Sequence, residues 1–303
     1  MLLTAAPTAL AEEEWTAREA AHQQRMDTWV APHTERRRAG VAHPVLDFLF
    51  TYYSETPGRL RRWHPGVGTA LLGDAARERR AWPLYTEVEA RDVDGALVRG
   101  VGLDRTAFLT KRRAAAGWVE GLLGATAGRA GQFGCFGMHE WAMLYRPEDG
   151  EVRHELPLRL GQAGTDAVVE AHKVQCSHID AYRFFTRAGV PRNALRPTRD
   201  TQQDLEQPGC LHATMDLYKW AYKLSPATPG ELLADCFALA ADVRELDMRA
   251  SPYDLSAHGY APVAVETPEG KAAYVAAQRG FAARGAVLRE RLLAVCRDLL
   301  DAG

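Results

Sequence analysis

Thr267-Pro268 opens the stretch that most constrains this chain, because Tyr274, Ala277, Phe281, Leu288, Leu292, Val295 and Leu299 then follow at spacings of three, four and seven. That spacing gathers the apolar side chains on one face of a long helix. A helix in water draws most of its stability from covering such a face, so the rest of the chain must supply a surface for it. Thr228-Pro229-Gly230-Glu231 is a second start signal, with a capping threonine, proline at the first helical position and glutamate three residues after the cap. It predicts a helix to about Arg249, stopped by Ser251-Pro252. The last third is therefore read as helical.

The middle of the chain has a different period. From Tyr85 to Lys111, Thr86, Val88 and Ala90 alternate with Glu87, Glu89 and Arg91, and Asp94-Gly95 sits at the centre as a hairpin signal. A second hairpin is expected over Trp141 to Leu160. Val168 to Phe185, rich in Val, Ile, Tyr and Phe, reads as a strand. Ahead of this region, Ala11 to Arg38 is a charged surface helix with a thin stripe of Trp15, Ala20 or Ala21, Met26 and Trp29. His43-Pro44 opens a buried aromatic helix, and Trp63-His64-Pro65-Gly66-Val67-Gly68 is a turn-rich connector. The expectation is one α+β domain over residues 1–303, with helical N- and C-terminal parts around a small antiparallel sheet with hairpins. Residues 1–10 would be a flexible arm, 11–80 helical, 82–186 β-rich and 203–300 helical.

A net charge of −2 removes any global attraction to nucleic acid or an anionic membrane. Cys135, Cys176, Cys210, Cys236 and Cys296 stand far apart without a C-x-x-C pair, which argues against a zinc ribbon or a disulfide framework and fits a reduced cytoplasm. No run of apolar residues is long enough to cross a membrane.

Glu170 to Leu224 carries the chemistry. On a strand His178 and Asp180 would share one face, and His212, with His258 as the second choice, would complete the two-His, one-carboxylate set that holds iron(II) or another divalent metal with positions left open. After Pro208-Gly209 a helix should begin, placing His212 in its first turn, where the helix dipole keeps the imidazole neutral. Asp216 and Lys219 follow on the same helix face. Glu140, after the glycine-interleaved stretch Gly131 to Gly137, and Asp216 are candidates to orient or deprotonate a substrate. Arg199 and Gln202 in the connector, with Lys219 and Tyr182, would bind it, the guanidinium taking a carboxylate.

The motifs M-H-E-W-A-M-L-Y, C-S-H-I-D-A-Y-R-F-F-T, E-Q-P-G-C-L-H-A-T-M-D-L-Y-K-W-A-Y-K-L and D-M-R-A-S-P-Y-D-L resemble those of an actinobacterial family identified as 3-methyladenine DNA glycosylases, over most of the chain from His43 to Leu299. The resemblance implies base excision from DNA, with Trp63 to Gly68 similar to a helix-hairpin-helix turn. A flipped base would enter an aromatic pocket near Trp63, Tyr52 and Phe48, with a buried carboxylate such as Asp47 activating water. In place of the helix-end aspartate such a fold needs, Asp92 falls in the predicted β-hairpin. The residues themselves point first to a metal-dependent oxygenase or oxidase acting on a small polar metabolite. A non-catalytic small-molecule binding protein is the third reading.

Overall fold

The computed structural model describes residues 6–148, 150 and 156–301. In chain order its elements are β1 (Thr8–Leu10), α1 (Glu12–Arg38), α2 (Phe48–Tyr52), α3 (Pro57–Leu60), β2 (Thr69–Leu71), α4 (Asp74–Glu78), β3 (Tyr85–Arg91), β4 (Leu97–Leu103), α5 (Arg105–Ala127) and α6 (Met138–Ala142). They continue with α7 (Gly161–Ala171), α8 (Ile179–Tyr182), α9 (Gln202–Leu205), α10 (Leu211–Lys223), α11 (Gly230–Ala250) and α12 (Pro268–Leu300). Two compact units result, each assembled from segments distant in sequence. The first comprises Met1–Leu123, Leu217–Ala238 and Leu288–Gly303, the second Gly124–Asp216 and Leu239–Val287.

The mixed helix and sheet character expected from the sequence is present, but the sheet is not a plain antiparallel one. Its four strands close into a small barrel in the order β1-β2-β4-β3, with β1 parallel to both β2 and β3. The Asp94-Gly95 hairpin forms as predicted: Gly95 takes φ +79°, and Asp92 Oδ1 accepts from the Asp94 and Ala96 amides at 3.0 and 2.9 Å. The flexible arm expected over residues 1–10 is corrected at its end. Thr8 N donates to Gly68 O and Leu72 N to Leu10 O, both at 2.9 Å, and Ala9 and Leu10 are buried. A three-residue strand is enough here because Leu10 enters the apolar cluster of Trp15, Trp63, Leu71, Tyr85 and Val101.

In the same unit α1 runs as predicted, but its buried stripe is Trp15, His22, Met26, Val30 and His33. His22 Nε2 meets Leu60 O at 2.9 Å and His33 Nδ1 meets Asp47 at 2.8 Å, so the two imidazoles occupy core positions that composition alone would assign to apolar residues. The connector at Trp63 to Gly68 packs on the start of α11. Trp63 Nε1 donates to Glu231 at 2.9 Å, Gly230 N donates to His64 O at 2.8 Å, and a Cβ on Gly230 would meet Trp63 at 2.4 Å.

Two predicted strands of the second unit are helices instead. Val168 to Phe185 falls into α7 and α8, with Val174 forming an isolated parallel bridge to Asn193. Thr165, Asp166, Ala167, Glu170 and Ala171 surround only two valines, and burying Val169 on a helix satisfies the segment as well as a sheet would. The hairpin expected from Trp141 begins in α6, whose Met, Glu and Ala are helix formers; positions 149 and 151–155 of that hairpin lie outside the described residues. No described helix is long and apolar enough to cross a membrane.

Candidate functional site

The second unit encloses a group of ionisable side chains drawn from five helices. Phe136 at φ +49° and Gly137 at φ +72° turn the chain into α6 and set His139 and Glu140 on it, both buried. His178 stands at the N-cap of α8, Glu206 follows α9, His212 and Asp216 lie on α10, and Arg244 and Asp247 lie on α11. Trp141, next to the first pair, is tied to the end of α11 by a 2.9 Å bond from its Nε1 to Ala250 O.

Four of these residues, His139, Glu140, His212 and Asp247, each offer a ligand atom within 4.8 Å of the other three. His139 Nε2 is 2.9 Å from Asp247 Oδ1 and 4.0 Å from Glu140 Oε1, and His212 Nε2 is 4.0 Å from Asp247 Oδ2. Arg244 Nη1 lies 3.8 Å from both Glu140 Oε1 and Asp247 Oδ2. Asp247 is fully buried, and its Oδ2 has no hydrogen-bond partner among the described residues. An orphaned buried carboxylate oxygen is costly unless something charged comes to it. Two imidazoles and two carboxylates are ligands that suit first-row divalent metals. The residues therefore fit a divalent cation.

A second layer adjoins the first. The His178 and His212 rings stack 5.5 Å apart, and His178 Nε2 is 3.4 Å from Glu206 and 3.5 Å from Asp216. Burial opposes a charge on His178, but the hydrogen bonds to Asp216 and Glu206 outweigh it and raise its pKa to about 9. His212 goes the other way: burial, followed by repulsion from His139, lowers it to about 3, leaving a neutral ring at the start of α10. His139 is also penalised by burial, yet Asp247 beside it holds its pKa well above the ordinary value. Glu140 is raised to about 7 by burial and by Asp247. Burial opposes ionisation of Asp247 itself, but His139 and Arg244 keep it low.

Charge balance follows from these directions. Glu140, Glu206, Asp216 and Asp247 are four carboxylates facing Arg244 and two protonated imidazoles. Displacement of the Glu140 and His139 protons by a divalent cation would leave the net charge of these groups unchanged, so the low-dielectric interior does not oppose such an exchange.

Beside His139 lies a narrow cavity of about 30 Å³. Gln132, Gln175, Gln207 and Gln278 line it with amides, and Cys135, Cys176 and Cys210 with thiols; no lysine, arginine or carboxylate is among its lining residues. Cys135 Sγ is 3.7 Å from His139 Nδ1, the ring nitrogen turned from Asp247. Gln207 Oε1 accepts from Gln132 N and Gly209 N, each at 2.7 Å, and Gln278 Nε2 donates to Gly209 O at 2.6 Å. Gln278 Oε1 is buried and accepts nothing from the described residues.

Of the residues singled out in the sequence, His178, His212, Asp216 and Glu140 converge here. Asp180 does not: with helix α8 in place of the expected strand, its carboxylate is bound by Arg199 and lies 3.2 Å from Arg183. Arg199 is engaged by Asp180 and, at 3.2 Å, by Gln202 Oε1; Gln202 Nε2 in turn donates to Glu206 at 2.9 Å. Tyr182 packs edge-on to Phe185, and Lys219 lies 4.5 Å from the Trp220 ring centre. His258 stands in a short turn after α11.

His139, Arg244 and Asp247 are absent from the sequence-derived set. On α11, Cys236, Ala240, Val243 and Ala250 form a buried stripe at spacings of three, four and seven, and Asp247 completes its period. A carboxylate on an apolar helix face was the signal available.

In the first unit, Asp47 is saturated by Arg36, His33 and the His43 amide, and Trp63 is fully buried with its indole N–H on Glu231. Phe48 and Tyr52 stack on each other at 4.9 Å. No protein-family model matches this chain, and neither does any curated protein or solved structure.

Proposed function

We propose that the protein is a metal-dependent enzyme, an iron(II) oxygenase or oxidase first among such enzymes, acting on a small polar uncharged metabolite. The observation that carries this reading is the convergence of His139, Glu140, His212 and Asp247 ligand atoms to within 4.8 Å inside a buried cluster. A bound iron(II) would supply oxygen activation at these four residues, and another divalent ion would supply Lewis-acid chemistry.

The chain's own groups then take defined parts. Arg244 offsets the negative charge of Glu140 and Asp247. Glu140, with a pKa near neutrality, can hold or release a proton at its carboxylate. Asp216 and Glu206 keep the second imidazolium, His178, against the His212 ring. The amide and thiol walls admit a small group without formal charge, and Gln278 Oε1 accepts from an N–H or O–H donor on it. Asp47, whose hydrogen bonds from Arg36, His33 and the His43 amide stabilise its ionised form, is poorly suited to activating water, which favours this reading over base excision.

Metal analysis of protein purified under anaerobic conditions, repeated after addition of iron(II), is the test. About one equivalent of tightly held divalent metal, lost on Asp247→Ala, supports the reading. A folded wild-type chain that retains no divalent metal after reconstitution sinks it.

A further inference from the structure

The first unit contains a second cleft, of about 200 Å³, apart from the His139 cluster. Arg59 on α3, Arg62 just after it and Arg112 on α5 line it, with Trp82, Tyr222 and the single carboxylate Glu55. Arginines on the same stretch of chain are each paired: Arg61 with Asp27 at 2.7 Å, Arg79 with Glu19 at 2.5 Å and Arg80 with Glu87 at 2.8 Å. Among the described residues, Arg59, Arg62 and Arg112 have no carboxylate within ion-pair distance. Three guanidiniums without a contact ion pair therefore line one concave site, with Glu55 as the one carboxylate among the residues that line it, while their neighbours are held by fixed partners. Concave walls concentrate the field of such a group.

The surroundings hold that site in shape. Arg112 Nη1 donates to Lys223 O and Ser225 O at 3.3 and 3.0 Å, which leaves other N–H groups of its fork for a ligand. Arg62 lies 5.5 Å from the Trp82 ring centre, and Arg79 lies 4.0 Å from the same ring centre. His64, at the wall, is bound through Nδ1 to Tyr85 Oη at 2.8 Å. Leu84, also lining the cleft, keeps φ +68°, and its carbonyl is held by the Asp104 amide at 2.8 Å. A residue with a β-carbon is strained in that conformation and is found where the surroundings over-determine the backbone.

We infer that this cleft binds the phosphate or pyrophosphate group of a small phosphorylated ligand, with Arg59, Arg62 and Arg112 as the anion-binding residues. Guanidinium forks match phosphate oxygens in pairs, and a flanking indole and phenol suit the organic part of such a ligand. Glu55 lies on the same wall and opposes an anion where it is ionised, so a pyrophosphate, with charge enough to engage all three arginines, is favoured over a singly charged anion.

Calorimetric titration of the full chain with inorganic pyrophosphate, and separately with inorganic phosphate, tests the inference. Saturable pyrophosphate binding, tighter than that of phosphate, is expected, falling at least about tenfold in the Arg59→Gln/Arg62→Gln double variant and staying within about twofold in Arg61→Gln. Glu55→Gln should tighten it several-fold, a gain that an unfolded or damaged protein cannot produce. No saturable heat with either anion at millimolar concentration overturns the inference, as does an equal loss in Arg61→Gln. Binding of duplex DNA that depends on Arg59 and Arg62, with no response to pyrophosphate, also overturns it and assigns the surface to a polymer.

Discussion

His139 Nε2 lies 2.9 Å from Asp247 Oδ1, while the other oxygen of the same carboxylate, Asp247 Oδ2, faces His212 and Arg244 at 4.0 and 3.8 Å without a hydrogen bond. That asymmetry makes Asp247 the residue on which the metal reading turns. Asp247→Asn keeps the shape and removes the charge, so divalent metal affinity should fall by at least about tenfold, as should that of His139→Ala. Asp180→Asn, which breaks the contacts to Arg199 and Arg183, should leave metal content within about twofold. Metal-to-protein ratios after dialysis against a weak chelator give the comparison. Equal loss in all three variants would mean that the cluster is a buried ion network and no more.

Metal binding at these four residues must also depend on pH. Burial and Asp247 raise Glu140 to about 7, and Asp247 holds the His139 proton well above the ordinary range. The cation competes with both protons, so affinity should rise with pH from 5.5 to 8.5, by about tenfold per unit for each proton displaced. The sign is fixed by the raised values, since groups with ordinary carboxylate pKa values would give a flat response above pH 6. Dissociation constants measured across this range, with proton release followed in two buffers of different ionisation enthalpy, distinguish the cases.

The sequence was informative about helices and uneven about the site, for reasons visible in single residues. Thr267-Pro268 and Thr228-Pro229-Gly230-Glu231 mark real helix starts because start signals are local chemistry; Thr267 Oγ1 accepts from Gly270 N at 3.0 Å, whereas Thr228 Oγ1 makes no hydrogen bond among the described residues. His212 was legible for the same reason, since Pro208-Gly209 places it in a first turn. Asp180 was misplaced because pairing it with His178 required a strand, and the choice between strand and short helix at Val174 to Phe184 is made by packing rather than by propensity. His139 and Glu140 would lie on opposite faces of a strand; adjacent positions on a helix differ by only about 100°, so both reach the cluster. The closed barrel was hidden because β1 and β2 are three residues each, shorter than any periodicity can reveal.

Asp47 ties α1 to the turn before α2. Burial opposes its ionisation, but Arg36 at 2.5 Å, His33 at 2.8 Å and the His43 amide at 2.8 Å outweigh that and lower its pKa to about 2. A carboxylate depressed in the folded state stabilises it fully above the unfolded pKa near 4, and that contribution disappears as pH falls to about 2. Asp47→Asn should therefore cost about 2 kcal/mol at pH 7 and show a weaker loss of stability than wild type between pH 4 and 2. Urea unfolding at several pH values measures both. Parallel curves for the two proteins over that acid range contradict the assignment.

Gly209 joins the cleft to the cluster, and its role is one of space rather than of backbone freedom. A Cβ there would come 2.5 Å from Gln132 O and 2.9 Å from Gln132 N, both backbone atoms that cannot swing aside. Gly209 also receives Gln278 Nε2 at its carbonyl and donates its amide to Gln207 Oε1, so any shift that accommodates a methyl group moves two walls of the cleft together. The same shift is transmitted to His212, three residues on at the start of α10. Gly209→Ala should lower unfolding free energy by about 1–3 kcal/mol and weaken metal binding in the folded fraction, because His212 is displaced from its partners. Gly128→Ala is the control: at the end of a helix in the same unit, its added Cβ would meet nothing closer than 3.6 Å. Denaturation midpoints and metal affinities of the two variants, measured side by side, separate a general effect of substituting glycine from the specific loss expected at Gly209.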